Sequence, residues 1–435
     1  MFGGVGLVLL RSLRFRLGRA SIRRVVAVTV PLNEVEVNPE NWFGPGVAGI
    51  GAASFFADVG HEIPTALLPS LITSTLGGSA ATLGLIEGVS DALAGVARLG
   101  GGALADDPHR RRSIAVGGYT TTAVLGAATG AVSTPLQVGI LRAGAWTARG
   151  LRVPARNALL ADIVPPKVYG RAYGFERAMD NLGAIVGPLL AIGLVAAFGT
   201  RWAIGLSVIP GVMAALAIVY AIRHTAAPAE RQRQPIRLRF RPVMQGALGR
   251  LMIGITAFEL GNCAATLLIL RATDLFKPGR SQDRATQLAL GLYVIYNLAA
   301  TLISVPAGRH SDRHGATRVL AAGALAFGVG YAWFAVGPAG VLGLAPAFVL
   351  AGLGIGCAET AEHAAVASLA PVQVRGSSFG VLAAIQSVGN LAASAVAGVL
   401  WTRVSPSAAF AFLSSAMIVA AILIVSTRAR LEPTL

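Results

Sequence analysis

The sequence predicts an all-α integral membrane protein, with twelve transmembrane helices in two pseudo-symmetric six-helix bundles. Three observations predict it. Only 13% of the 435 residues are charged, 54% are hydrophobic and the mean hydropathy is +0.66. A soluble domain carries about 25% charge, so most of this chain belongs in lipid. Apolar stretches long enough to span a bilayer recur twelve times. Finally, the chain repeats itself at one register: Gly102-x-x-x-Asp106 maps onto Gly308-x-x-x-Asp312, an offset of 312 − 106 = 206. The same offset carries Gly170-Arg-Ala-Tyr173-Gly174 onto Gly376-Ser-Ser-Phe379-Gly380, and Gly183 onto Gly389. Two homologous halves joined by a linker are how many transporters place a site at the bilayer midplane.

The expected spans are 46–72, 79–104, 113–131, 135–160, 172–198, 202–222, 246–273, 286–308, 317–337, 341–369, 376–401 and 406–427. Each is of spanning length, and the abundance of Gly (53) and Pro (22) suits packed and kinked membrane helices. The corresponding organisation is a basic tail over 1–45, a bundle over 46–222, an Arg-rich loop over 223–245, a bundle over 246–427 and a tail over 428–435. Phe2 to Leu10 is apolar but short, with Arg on the wrong side for a signal peptide. Either an amphipathic surface tail or a mis-called start explains it.

Charge sorts by loop. Arg clusters fall in the N-terminal tail (Arg11 to Arg24), after span two (Arg110 to Arg112), after span six (Arg223 to Arg241), after span eight (Arg309, Arg313, Arg318) and at Arg428 and Arg430. Residues 73–78, 132–134 and 338–340 carry no charge, whereas 271–284 mixes both signs. The positive-inside rule then places both termini in the cytoplasm and accounts for the net charge of +16 without nucleic acid. Arg far outnumbers Lys, and Ala and Gly are heavy, which fits a GC-rich bacterial genome and a multi-pass protein of the bacterial plasma (inner) membrane.

Several chemistries are missing. The two cysteines, Cys263 and Cys357, lie in apolar stretches and form no disulfide or zinc pattern. No Gly-x4-Gly-Lys-Ser/Thr loop occurs, and the only lysines are Lys167 and Lys277, so an ion gradient rather than ATP is the expected energy source. No cofactor and no catalytic constellation is expected.

Three signatures resemble the major facilitator superfamily. The first is its loop pattern Gly-x-x-x-Asp-Arg-x-Gly, which stands as Gly308, Asp312, Arg313 and Gly315. The first-half copy is degraded: Asp106 is followed by Asp107, Pro108 and His109, then Arg110, Arg111 and Arg112. The resemblance implies a gate or latch in which the Asp bonds across to the other half, an assignment suited to a carboxylate at a helix end. A solvated loop that only sets topology is the alternative. The second is the fifth-span signature of the family's antiporters, present as Gly174, Gly183, Gly187 and Pro188, with Asp180 between them; Ala191 and Ile192 replace its last two glycines. It implies proton-driven export, a closely packed span and a kink at Pro188, against generic small-residue packing. The third runs from Arg149 to Asp162 and from Gly170 to Asp180, with Phe55 to Glu62 and Leu85 to Asp91, and is similar to a group of bacterial permeases within the superfamily, Asn157 standing where that group usually has Asp.

In the resembled fold, spans one, four, seven and ten line the central cavity, and this chain's intramembrane polar residues concentrate there. A charge at a helix centre costs about 2.5–3.5 kcal/mol on insertion, so each needs a partner or a wet cavity. Span one offers Asp58, His61 and Glu62; span four Arg142, Arg149, Arg152 and Arg156; span seven Glu259 and Asn262; span ten Glu359, Glu362 and His363; span eleven Gln386 and Asn390. Arg142, Arg149 and Arg156 recur every seven residues and share a stripe, which carboxylates on spans one, two and five would neutralise. The proton-coupling candidates are Asp58, Glu62, Glu359 and Glu362, against fixed ion pairing. His61, Arg149, Arg152, Arg156, Glu259, Asn262, His363, Gln386 and Asn390 are the substrate-cavity candidates. Glu87, Asp91, Glu176, Arg177 and Asp180 read as structural partners or gate elements. Asp58-x-x-His61-Glu62 and Glu359-x-x-Glu362-His363 could instead hold a divalent metal between them; no resident metal is expected.

The expectation is therefore a monomeric secondary transporter in the lipid bilayer, exporting a small-molecule substrate (drug or metabolite) with protons as coupling ion. Two alternatives stand: a symporter that takes up a nutrient or divalent metal, and a non-transporting membrane receptor that keeps the fold.

Overall fold

The computed structural model describes residues 42–225 and 235–428. The readings of the N-terminal tail, of Arg231 and Arg233 in the linker, and of Arg430 lie outside the described residues. The described residues form helices with no strand, as a chain in lipid must if its backbone is to bond internally.

The first half contains α1 (Pro45–Ser70), α2 (Ala80–Ala105), α3 (Pro108–Ala128), α4 (Pro135–Ile163), α5 (Tyr169–Leu206) and α6 (Val208–Arg223). A short helix, α7 (Phe240–Val243), precedes the second half. There follow α8 (Gly246–Glu259), α9 (Ala265–Phe276), α10 (Gln282–His314), α11 (Ala316–Val336), α12 (Val341–Leu369), α13 (Arg375–Arg403) and α14 (Pro406–Arg428). The architecture is the expected one of twelve spans, with α8 and α9 together making the seventh. Six stretches are long and apolar enough to cross a membrane by composition alone, one of them covering α5 and α6 together. The charge-bearing first four spans are not among them.

Local chemistry sets the ends. Pro45, Pro108 and Pro135 sit in first turns, where a missing N–H is harmless. Asp107 caps α3, and Thr134 with Gln137 forms a capping box on α4.

The non-helical residue inside α5 is Gly199 (φ 78°, ψ 167°), so the turn between the fifth and sixth spans falls in the expected gap between residues 198 and 202; only glycine adopts that conformation cheaply. The expected seventh span is interrupted at Leu260 to Ala264. The break is bonded from α13, with Ser394 Oγ accepting from Ala264 N at 2.8 Å and Asn390 Nδ2 donating to Asn262 O at 2.9 Å.

The halves meet through α2 with α13 and through α5 with α10. A Cβ on Gly102 would lie 2.8 Å from Gly376 O and 2.9 Å from Gly380 Cα, and Gly170 and Gly308 press on each other in the same way. Towards the other end of these helices the crowding is gone, since a Cβ on Gly84, Gly88, Gly193, Gly291 or Gly398 would meet nothing within 4 Å. The two halves are thus pinned together at one end.

Candidate functional site

At the pinned end the two signature aspartates make reciprocal bonds. Asp106, just past α2, accepts from Ser377 N at 2.8 Å and Ser377 Oγ at 2.6 Å. Asp312, near the end of α10, accepts from Gly170 N at 2.6 Å, Arg171 N at 3.1 Å and Arg171 Nε at 2.9 Å. Ser377 and Arg171 differ by the same 206 positions as Asp312 and Asp106, so one contact is the pseudo-symmetric image of the other. The degraded loop after Asp106 therefore does not disable its bond. Burial raises the Asp106 carboxyl above the usual carboxylate range, although the Ser377 bonds, Arg239 and Arg111 pull it down.

The neighbouring residues divide. Arg111 is fully buried, donates to Ala105 O at 2.5 Å and pairs with Asp162. Asp162 also takes Arg375 of the other half at 3.1 Å. Arg110, in the first turn of α3, pairs back to its cap residue Asp107 at 3.4 Å. Arg313 is exposed and makes none of these bonds, and Gly315 (φ 91°) ends α10.

Deeper in, the arginine stripe of α4 meets carboxylates on three helices. Arg142 pairs with Glu87 of α2 at 3.0 Å, Arg149 with Asp58 of α1 at 3.1 Å, and Arg156 with Glu176 of α5 at 2.7 Å and Asp180 at 3.8 Å. Ser54 Oγ donates to Glu176 at 2.6 Å and accepts from Arg156 at 2.8 Å. Trp146 Nε1 donates to Asp91 at 2.7 Å.

The small residues of α5 seat this network. A Cβ on Gly183 would lie 2.8 Å from Asp58 Cβ and 2.7 Å from Phe55 O, and one on Gly187 would lie 2.5 Å from Glu62 Cβ. Gly174 instead presses on Ser304 of α10, across the halves. The second half repeats the arrangement, because Gly389, the counterpart of Gly183, abuts Glu259 Cβ at 2.5 Å.

Arg177 connects the two sets of acids. It lies 2.7 Å from Glu176 and 3.2 Å from Asp180 in its own half, and 3.8 Å from Glu359 of α12 in the other. Among the second-half acids, Glu259 accepts from Asn262 at 2.9 Å and Glu362 from Gln386 at 2.8 Å. Glu362 is fully buried, and its second oxygen has no partner among the described residues. His363 Nδ1 faces Glu359 O at 2.7 Å, and its ring packs near Tyr173 and Phe379. His61 packs against Trp146 with centroids 4.3 Å apart and approaches Glu62 at 3.7 Å.

With this geometry in view, comparison with known proteins decides the class. The sequence matches the Major Facilitator Superfamily over residues 50–273 and 275–434. The chain belongs to that superfamily. It is similar to an uncharacterised MFS-type transporter of Methanocaldococcus jannaschii, 26% identical over 383 residues, covering 86% of this chain and 93% of that one. A shorter likeness, 34% over 73 residues and 17% of this chain, is to a multi-drug resistance efflux pump PmrA homologue of Lactococcus lactis, covering 61% of that sequence. In fold it is similar to a bacterial homologue of the iron transporter ferroportin in the outward-facing state, with TM-score 0.71, 14% identity, and coverage of 88% of this chain and all of that one. It is likewise similar in fold to the human organic anion transporter MFSD10 (TM-score 0.67, 15% identity, 87% and 99% covered). The protein is a multi-pass membrane transporter of the superfamily, and it works on a small-molecule substrate from within the bilayer.

Three further placements in this MFS transporter complete the site. Arg152, outside the seven-residue stripe, turns to α3, its Cζ 3.9 Å over the Tyr119 ring. The alternative of a divalent metal held between the His-carboxylate clusters of α1 and α12 gains no support, since among the described residues no group of three His, Cys, Asp or Glu is placed to hold a metal ion. Arg98, not singled out in the sequence, reaches α13, donating to Ala383 O at 3.3 Å and to Ser387. The signal for Arg98 was a lone cation in an apolar span, which needs a partner as much as the stripe does.

Proposed function

We propose that this MFS transporter exports a small organic molecule, drug or metabolite, in exchange for protons by alternating access. One observation carries the reading: Arg177 holds carboxylates of both halves, so protonating Glu359 would remove a tie between the halves while Arg177 stays neutralised by Glu176 and Asp180. Asp58, paired to Arg149 on a helix seated against the antiporter-type glycines, is the second coupling acid, with Glu62 beside it. A carboxylate that exchanges a proton for an arginine pair converts proton binding into a conformational bias. Export draws on the fifth-span signature and on the short likeness to the multidrug pump homologue.

In this reading Asp106 and Asp312 are the latch of the cytoplasmic gate, and the termini lie on the same side. The closed end is then cytoplasmic and the state is outward-facing. Glu259, Asn262, Gln386 and Asn390 form the second-half wall of the substrate cavity. The protein works as a monomer in the plasma membrane, with the halves divided at the 223–245 linker.

The test uses inside-out vesicles carrying an imposed proton gradient and a panel of drugs and metabolites. Substrate-dependent collapse of the gradient with accumulation inside the vesicles is the expected result. Substrate driven in the opposite direction would favour uptake by symport, and the absence of any flux would favour a receptor role.

A further inference from the structure

The two halves balance their intramembrane charges differently. In the first half every arginine of the α4 stripe holds a carboxylate. In the second half α12 carries Glu359 and Glu362 but no Arg or Lys, and α10 and α13 carry theirs only near their ends. Glu259, at the end of α8, adds a third acid. Arg271 of α9 is committed to Phe334 O and Ser407. Among the described residues the ion pair that reaches these acids is Arg177 with Glu359 at 3.8 Å, and Arg177 holds Glu176 and Asp180 more closely.

Glu259, Glu359 and Glu362 form one group. Their charges act on one another, and among the described residues no cation acts on Glu259 or Glu362. Glu362 is fully buried; one of its oxygens accepts from Gln386, and the other has no partner among the described residues. The Glu359 side chain stays partly open, 29% exposed. Two half-buried tyrosines of α10 complete the surroundings. Tyr293 and Tyr296 stack with centroids 5.5 Å apart and 19° between their planes. Tyr296 lies within electrostatic reach of Glu259 and Glu359. Tyr293 lies within reach of Glu359 and, across the halves, of Asp58 and Glu62. The group therefore faces the space between the halves.

A carboxylate in a membrane interior with no arginine of its own is completed by a proton or by a cation that enters. An aromatic face beside carboxylates suits an organic ammonium, because the ring quadrupole attracts a cation that has given up its water. A divalent metal does not fit, since among the described residues no three His, Cys, Asp or Glu are grouped to hold one. We propose that the substrate of the cavity between the halves is a monovalent organic cation, an ammonium on an apolar body. The ammonium donates to the free oxygen of Glu362 within the field of Glu259 and Glu359, and the apolar body lies against Tyr293 and Tyr296. This rests on the reading of that cavity as the substrate site and narrows its substrate to one charge class.

The probe is 2-naphthylmethylammonium, measured at neutral pH by equilibrium dialysis against the full chain in neutral-lipid nanodiscs. Uncharged 2-naphthylmethanol and anionic 2-naphthoate are the comparators. Saturable binding of the ammonium is expected, at least tenfold tighter than either comparator and at least tenfold weakened by Glu362→Gln. Tyr296→Leu is expected to weaken it about threefold or more. Glu362→Gln keeps the side-chain shape and removes a buried charge that has no cation, so its thermal midpoint is expected to hold or rise, which separates lost binding from lost fold. Absence of saturable ammonium binding, or equal wild-type affinity for either comparator, would overturn the proposal without recourse to any variant. Undiminished binding in both Glu362→Gln and Glu259→Gln would overturn it as well. Sodium raising the thermal midpoint as far as the ammonium does would overturn the organic assignment in favour of a bare inorganic ion. Dialysis imposes no gradient, so ammonium binding without proton flux would remove the exchange reading and keep this one. Proton flux driven only by uncharged or anionic compounds would do the reverse.

Discussion

Arg177 Nη1 and Glu359 Oε2 stand 3.8 Å apart and belong to opposite halves of the chain. The same guanidinium is held more closely by Glu176 and Asp180 of its own half. Removing Glu359 therefore takes away one tie between the halves without stranding the arginine, whereas removing Glu176 takes from Arg156 and Arg177 their shortest carboxylate partner and leaves both to share Asp180. Breaking a buried pair costs about 3–5 kcal/mol. Glu176→Gln is expected to lower the thermal unfolding midpoint in detergent markedly, and Glu359→Gln to leave it within a few degrees of wild type.

The close seat of Asp58 on α5 gives a second prediction. Gly183→Val would drive a side chain into Phe55 O and Asp58 Cβ, while Gly193→Val meets open space. Overpacking costs about 1–3 kcal/mol and would displace the acid. Transport by Gly183→Val is expected to fall at least tenfold in a vesicle assay, with Gly193→Val near wild type. Equal activity in the two variants would detach α5 packing from function.

The latch is testable by accessibility. Asp106→Ala leaves Ser377 N and Oγ without their acceptor, a loss of about 1–3 kcal/mol from the closed state, or roughly 5–150-fold in the closed-to-open ratio. A cysteine at Ala105, fully buried in the closed end, should then react with a maleimide faster by a factor in that range, in a background lacking Cys263 and Cys357. Asp312→Ala should do the same, and the double variant more.

The break in the seventh span depends on α13. Ser394→Ala removes the acceptor for Ala264 N and is expected to destabilise the protein by about 1 kcal/mol, read as a small drop in thermal midpoint.

Much of this was legible in the sequence because it follows from periodicity and charge cost. The offset of 206 pointed to two homologous halves, and the seven-residue spacing of Arg142, Arg149 and Arg156 foretold a stripe that meets acids on α1, α2 and α5. What stayed hidden depends on side-chain direction. Arg152 lies three residues from Arg149, close to the same face of α4, yet its side chain turns to Tyr119 instead of to an acid, a choice that spacing does not encode. The interruption at Leu260 to Ala264 has no local breaker of that strength and is bonded by Asn390 and Ser394, more than a hundred residues away.

The most direct test of proton exchange at the inter-half arginine is substrate-dependent proton flux in inside-out vesicles, compared between wild type, Glu359→Gln and Asp58→Asn. Flux in wild type that falls at least tenfold in Glu359→Gln, with substrate binding retained, is the expected result, and a similar loss in Asp58→Asn would place both acids on the proton route. Wild-type flux that persists unchanged in both variants would contradict it and leave these carboxylates as fixed ion pairs.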